Sequence, residues 1–203
     1  MRNEDSKENS PQFWEERYLS NTTGWDLNGA TPVFKNLAET LVKGKVCILG
    51  CGRGYDAIML AEKGFEVTAV DFAPSATNAL ESNARKESKT INILQRDIFS
   101  LTDEFKDHFD YVIEQTCFCA IHPNRRMDYV GLVESILKVN GKLIGLWFPL
   151  DKNLEEGGPP YGVTENQIKS YFKVNWIIEK EEFSKLSIES RKNREKLIIF
   201  KKI

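Results

Sequence analysis

The run Val46-Cys47-Ile48-Leu49-Gly50-Cys51-Gly52-Arg53-Gly54-Tyr55 reads as a buried strand, a tight turn and the start of a helix. Glycines let a backbone adopt dihedrals that side chains forbid and pass close to a ligand. Gly50, Cys51, Gly52 and Gly54 are therefore candidate cofactor contacts. Asp71, followed by Phe72, closes the next apolar run, Phe65 to Val70. An acidic side chain at that place can accept the hydroxyls of a ribose. The pair indicates an adenosine cofactor in the crevice at the strand C-termini. Asp97 and Ile98 follow the third strand-like run. The carboxylate can accept an adenine amino group while Ile98 packs on the ring; a helix cap or a solvated loop aspartate is the alternative. Glu114, Gln115 and Thr116 directly follow a fourth apolar run, at the mouth of the same crevice.

The glycine pattern is G-x-G-x-G. A dinucleotide fingerprint needs a third glycine at position 55, which is Tyr55. An NAD-dependent oxidoreductase is disfavoured on that ground. S-adenosyl-L-methionine has no pyrophosphate to seat on bare amides; it carries a sulfonium and a zwitterionic amino acid, which a looser turn with a few polar groups suits.

Other chemistries find little support. Cys117 and Cys119 form C-x-C, and His108 and His122 are the chain's two histidines, so no metal site is expected. A covalent cysteine nucleophile is the lesser reading, because direct methyl displacement needs none. The formal charge of -2 is spread with mixed sign and gives no nucleic-acid footprint. The basic stretch with Arg191, Lys192, Arg194, Lys196, Lys201 and Lys202 reads as a solvated strand edge. No apolar run reaches a membrane span or makes a signal peptide, so a cytoplasmic protein without membrane partners is expected. Residues 1–10 are polar and predicted to be disordered; residues 11–203 read as one domain of the 203-residue chain.

The elements that must position these residues alternate. Ser10-Pro11 and Thr31-Pro32 each combine an N-cap residue with proline at the first helical position. They predict two N-terminal helices within 11–44, the second striped by Val33, Phe34, Leu37 and Leu41 and stopped at Gly44. Strands at Val46–Leu49, Phe65–Val70, Thr90–Leu94, Phe109–Ile113 and Lys142–Phe148 alternate with helices at Arg53–Glu62, Ser75–Lys86 and Asn124–Val139. A further helix is weakly signalled near Thr102–Lys106. Such an order predicts an α/β, doubly wound, mostly parallel sheet. Thr164–Tyr171 reads as a helix. Asn175–Phe183 and Lys196–Lys202 read as an antiparallel strand pair with a short polar connection.

The chain resembles the thiopurine S-methyltransferase family, and within it the thiol and halide methyltransferase branch of the class I S-adenosylmethionine-dependent enzymes. The resemblance rests on Phe13-Trp14-Glu15-Glu16-Arg17-Tyr18 with Thr23-Gly24-Trp25, on Leu49 to Asp56, on Val67 to Asp71, on Arg96-Asp97-Ile98-Phe99, on Phe109 to Val112 and on Gly157-Gly158-Pro159-Pro160-Tyr161. It covers roughly residues 11 to 203. It implies a Rossmann-like sheet with a reversed last strand, and a helical lid over 11–44. It implies Trp14 against the cofactor, with Tyr18 and Trp25 shaping the lid. Gly50 lies by the methionine part, Asp71 by the ribose, and Asp97 and Ile98 by the adenine. Pro159, Pro160 and Tyr161 form an acceptor wall. Gln115 stands where some thiopurine relatives have arginine and plant thiol and halide enzymes have tyrosine; Thr116 matches the plant branch.

The activity so implied is in-line methyl transfer from S-adenosyl-L-methionine to a small soft or anionic nucleophile (a thiol, hydrosulfide or halide), leaving S-adenosyl-L-homocysteine. The cofactor brings an activated methyl, and the protein aligns the partners and excludes water. Gln115, Thr116 and Tyr161 are the candidates for orienting the acceptor, with Glu114 beside them. An O- or N-methyltransferase on another small molecule is the alternative. A monomer suffices for this architecture.

Overall fold

A computed structural model describes residues 6–203. Five strands run in parallel: β1 (Lys45–Leu49), β2 (Glu66–Asp71), β3 (Asn92–Gln95), β4 (Phe109–Gln115) and β5 (Leu137–Trp147). The tail adds β6 (Trp176–Glu182) and β7 (Lys196–Lys202). The sheet order is β3-β2-β1-β4-β5-β7-β6. β7 inserts between β5 and β6, antiparallel to both. The result is the mostly parallel Rossmann-like sheet with a reversed last strand that the sequence predicts. The order turns back between β1 and β4, which opens a crevice beyond their C-terminal ends.

Helices cover both faces. α2 (Pro32–Leu37), α3 (Tyr55–Glu62) and α4 (Pro74–Lys86) bury Phe34, Leu60 and Leu80 against one side of the sheet; α5 (Arg126–Ile136) and α6 (Glu165–Tyr171) bury Tyr129, Val133 and Ile168 on the other. α1 (Pro11–Leu19) lies outside these layers and packs on α4 and the N-terminal turn. Strand pleating sorts β4 between the faces: Tyr111 and Ile113 join the first core, Val112 the second.

Several boundaries differ from expectation. α3 begins at Tyr55 rather than Arg53, because the glycine turn extends to Gly54, whose φ is 77°. α2 ends at Leu37, before the apolar stripe runs out. α5 gives way at Leu137, which already pairs with Phe109 in the sheet. The weakly signalled helix near Thr102 is absent; a 3-10 turn at Ile98–Leu101 begins the connection instead. Ser10 caps α1 as predicted, its side chain accepting from the Gln12 N–H. Thr31 does not cap α2 with its side chain. Its N–H and hydroxyl both donate to Asp56 of α3, at 2.7 and 2.8 Å, a tie between the N-terminal segment and the sheet layer.

Of the segment predicted to be disordered, residues 1–5 lie outside the described residues, and Lys7–Asn9 forms a 3-10 turn with Glu8 buried. The β6–β7 connection is not a short solvated link. It folds inward, with Ser187, Arg191 and Glu195 buried. A local count of charges does not reveal this, because the contacts that bury them come from distant parts of the chain. No described helix is long and apolar enough to cross a membrane.

Candidate active site

The cavity at the crevice has a volume of about 560 Å³, within the range of small-molecule sites. Its floor is the glycine turn. Gly50, Gly52 and Gly54 all have left-handed φ values, 62°, 55° and 77°. Gly50 lines the cavity, and a Cβ there would press on the Cys117 thiol at 3.1 Å. Gly52 lies under the Tyr18 hydroxyl, 3.3 Å from where its Cβ would stand. Gly54 is a packing position, since a Cβ would come within 2.1 Å of Leu80. Cys51, Gly52 and Gly54 thus shape the turn without joining the cavity wall.

Asp71 ends β2 at the cavity edge and is mostly buried. Its Oδ2 accepts from the Gly52 N–H at 2.9 Å and its Oδ1 from Ala73 at 3.0 Å. Each oxygen keeps a further lone pair. Burial pushes the carboxyl up, and the backbone N–H donors of Ala73 and Gly52 hold it back down. Phe72, Asp97 and Ile98 line the same end. Asp97 caps the 3-10 turn through Phe99 N–H at 3.0 Å, the alternative its sequence position offered, and it also lines the cavity.

The N-terminal segment closes the top. Trp14 and Trp25 meet edge to face at 5.4 Å between centroids, and Tyr18 meets Trp25 at 5.7 Å. Glu15 anchors α1 by accepting from the Ser75 N–H and hydroxyl at 2.8 and 2.6 Å, at the start of α4. Trp14 donates its indole N–H to the Glu8 carbonyl at 2.8 Å.

Trp14, Trp25, Gly50, Asp71, Phe72, Asp97, Ile98 and Thr116 are therefore brought to one cavity. Three other sequence candidates stand behind its wall. Glu114 points into the core under α5. Its carboxylate accepts from the Cys117 and Phe118 N–H groups at 3.1 and 2.9 Å and from the Tyr129 hydroxyl at 2.7 Å. Burial pushes it up to about 7. Gln115 faces away from the cavity, with its Nε2 buried and without a hydrogen-bond partner among the described residues. Tyr161 turns its hydroxyl to Glu8 Oε1 at 2.5 Å, while Pro159 and Pro160 make the wall itself. Thr116, at φ 57°, is the bend that turns the chain into the cavity after these residues.

The structure brings to the cavity residues not expected there, among them Arg191 and Arg194 of the stretch read as a solvated strand edge. Arg191 reaches in from the β6–β7 connection and lies 5.2 Å over the Phe148 ring. Its Nη2 donates to the Trp25 carbonyl at 2.9 Å. Its Nη1 is buried without a hydrogen bond, 3.8 Å from Glu195. Arg194 lines the same region and pairs with Asp151 at 2.7 Å. Glu8 also lines the cavity. The only local signal for these was an arginine or glutamate in a polar stretch. Cys117 and Cys119 form part of the wall; burial pushes Cys119 up to about 12 and Cys117 well above its ordinary range. They stay protonated thiols and are poor nucleophiles.

Residues 9–202 match the family described as thiopurine S-methyltransferase (TPMT). The chain belongs to this family. It is 34% identical over 207 residues to a protein of Arabidopsis thaliana named probable thiol methyltransferase 2, covering 96% of this chain and 87% of that one. It is 30% identical over 195 residues to thiocyanate methyltransferase 1 of Brassica oleracea, covering 94% and 84%. Among solved structures, a Burkholderia thailandensis 1,6-didemethyltoxoflavin-N1-methyltransferase, with bound 1,6-didemethyltoxoflavin and S-adenosylhomocysteine, superposes with a TM-score of 0.75 at 17% identity, covering 95% of this chain and 86% of that one. That likeness is one of fold.

The protein is an S-adenosyl-L-methionine-dependent methyltransferase, and the residues present fit that cofactor. Asp71 retains acceptor capacity at the rim, the left-handed Gly50 leaves its face open to the cavity, and Trp14 and Trp25 present aromatic surface, which attracts a cation such as a sulfonium.

Proposed function

We propose that this methyltransferase acts on a small thiol or halide, with Asp71, Asp97, Ile98 and Gly50 on the donor side and Arg191 on the acceptor side. The observation that carries the acceptor half is the Arg191 guanidinium, which lines the cavity beside Phe148, Pro159, Pro160 and Arg194 while its Nη1 faces Glu195 at 3.8 Å. Guanidinium groups on a largely apolar wall favour an anionic or thiolate acceptor by charge. The names of the thiol and thiocyanate methyltransferase relatives support the same class.

When bound, S-adenosyl-L-methionine supplies a methyl already activated on a cationic sulfur. The chain's own residues do the rest. Asp71 and the glycine turn hold the nucleoside. Trp14, Tyr18 and Trp25, within a lid over residues 11–44, exclude water. Arg191 and Thr116 orient the acceptor, and Tyr161 and Gln115 support the wall from behind. Glu114 acts through the loop it holds and not by touching the cofactor. Water exclusion strengthens each of these electrostatic contacts. The enzyme works as a cytoplasmic monomer in this reading, because lid, sheet and cavity all close within one chain and the four cysteines are free.

The test is a methyl-transfer screen with iodide, hydrosulfide, small aliphatic thiols, an aromatic thiol and a thiopurine. Turnover on at least one is expected. Failure on all of them, with activity on an alcohol or amine, would overturn the proposed acceptor class.

A further inference from the structure

We infer that Glu8 is the proton acceptor for a thiol substrate and biases the enzyme toward protic acceptors over halides. The inference rests on the acceptor reading above. Glu8 is only 9% exposed, yet it lines the cavity. It stands beside the Pro159-Pro160 wall, because the Tyr161 hydroxyl that follows those prolines donates to its Oε1. Burial and the Glu8 carboxylate push Tyr161 up to about 12, so this hydroxyl remains a donor. Trp14 fixes the Glu8 backbone from the other side. The second carboxylate oxygen, Oε2, has no protein hydrogen bond among the described residues, and no described cation lies within ion-pair distance. One oxygen of Glu8 is thus clamped, and the other has no protein partner among the described residues on a side chain that lines the cavity.

The chemistry of the acceptor gives that oxygen a use. An aliphatic thiol has a pKa of about 8.5, so roughly one part in a hundred is thiolate at pH 6.5. The thiolate is the nucleophile. A carboxylate within the cavity takes the S–H proton onto Oε2 as the new sulfur–carbon bond forms and the bond from that carbon to the sulfonium breaks. The products are a methyl thioether, S-adenosyl-L-homocysteine and a protonated Glu8, which returns its proton to water when the cavity opens. A halide brings no proton, so the same carboxylate gives it only repulsion.

The two acceptor classes must then respond in opposite directions to Glu8→Gln. With a small aliphatic thiol at pH 6.5, kcat/KM should fall about 100-fold, the scale of a general base. With iodide it should rise several-fold. The thiol defect should shrink as pH passes about 8.5, where the free thiol ionises without help. Glu8→Asp should recover part of the thiol rate. A second measurement needs no turnover. Trp14 and Trp25 line the cavity, so iodide quenching of tryptophan fluorescence in the S-adenosyl-L-homocysteine complex should strengthen in Glu8→Gln. Equal losses with thiol and iodide would overturn the inference and make Glu8 a structural strap. An unchanged thiol rate at pH 6.5 would overturn it as well. Wild-type protein inactive on every thiol and halide would instead defeat the acceptor class, and unchanged iodide quenching would still count against Glu8.

Discussion

Glu114→Gln separates the burial of a charge from the hydrogen bonds that accompany it. Oε1 of Glu114 accepts two backbone N–H groups, from Cys117 and Phe118, and Oε2 accepts from the Tyr129 hydroxyl. A glutamine can keep all three. Its amide oxygen takes the two N–H donors, and its NH₂ donates to the Tyr129 oxygen, which reverses its role. What disappears is the ionisable proton. Burial raises the carboxyl from 4.5 to about 7, so the native state holds that proton more tightly than the unfolded chain does. The stability contributed by this group is therefore fully present below pH 4.5 and is lost as pH rises through about 7. At about 1.4 kcal/mol per pKa unit, the loss is roughly 3 kcal/mol by pH 8. The variant lacks this titration. Whatever its offset, its stability relative to wild type should improve by roughly 2.5 kcal/mol between pH 5 and pH 8. In a chain of this size that is a relative gain of roughly 5–10 °C in Tm. Urea titrations at several pH values across the window measure it directly. Parallel stability–pH curves for the two proteins would refute the assignment of Glu114 as a buried, titrating loop clamp.

Three further outcomes follow from the same geometry. Asp71→Ala should weaken S-adenosyl-L-homocysteine binding by about 100-fold in calorimetry, the scale of hydrogen bonds to a charged group; unchanged affinity would remove Asp71 from the donor site. Gly54→Ala should cost roughly 2–5 kcal/mol, because it combines a left-handed backbone with overpacking, its Cβ falling 2.1 Å from Leu80 at φ 77°; a denaturation midpoint near wild type would contradict that packing. Arg191→Met should raise the KM for thiol and iodide about tenfold or more, the loss of one charged hydrogen bond, while S-adenosyl-L-homocysteine affinity changes little; an equal loss in both would place Arg191 on the donor side.

The gathering of Gly50, Asp71, Asp97 and Ile98 at one cavity was largely legible in the sequence, and the reason is local. Gly50 to Gly54 must bend the chain between one strand and its own helix, and Asp71 closes the next strand over, so backbone constraints mark both within a short span. Asp97 both caps the 3-10 turn and lines the cavity, so the cap reading and a place at the cavity do not exclude each other. The polar end of β4 misled. Glu114, Gln115 and Thr116 look alike in sequence, but strand pleating sends Glu114 under α5 and Gln115 away from the cavity. Only Thr116, itself the left-handed bend, lines the site. Tyr161 was expected on the wall; its hydroxyl instead ties to Glu8, a residue in a stretch whose polarity predicts no structure.

The acceptor end is assembled by long-range contacts, and this bears on how specificity is encoded. Arg191 donates to the carbonyl of Trp25 across a separation of 166 residues, and Glu8 meets Tyr161 across 153. The N-terminal segment is further tied to α3 through Thr31 and Asp56, and to α4 through Glu15 and Ser75. Burial raises Asp56 to about 6, so that tie is made with a carboxyl whose charge is costly to bury. The N-terminal segment that lines the cavity with Trp14 and Trp25 thus also carries Glu8 and, through the Trp25 carbonyl, holds Arg191, the proposed acceptor-side residue. In the proposed reading, the segment over the nucleoside and the acceptor wall are therefore held by the same set of contacts. A substitution at Arg191 or Glu8 can then change which nucleophile is accepted while the glycine turn and Asp71 stay intact. The fold can keep one methyl donor and vary its acceptors for that reason.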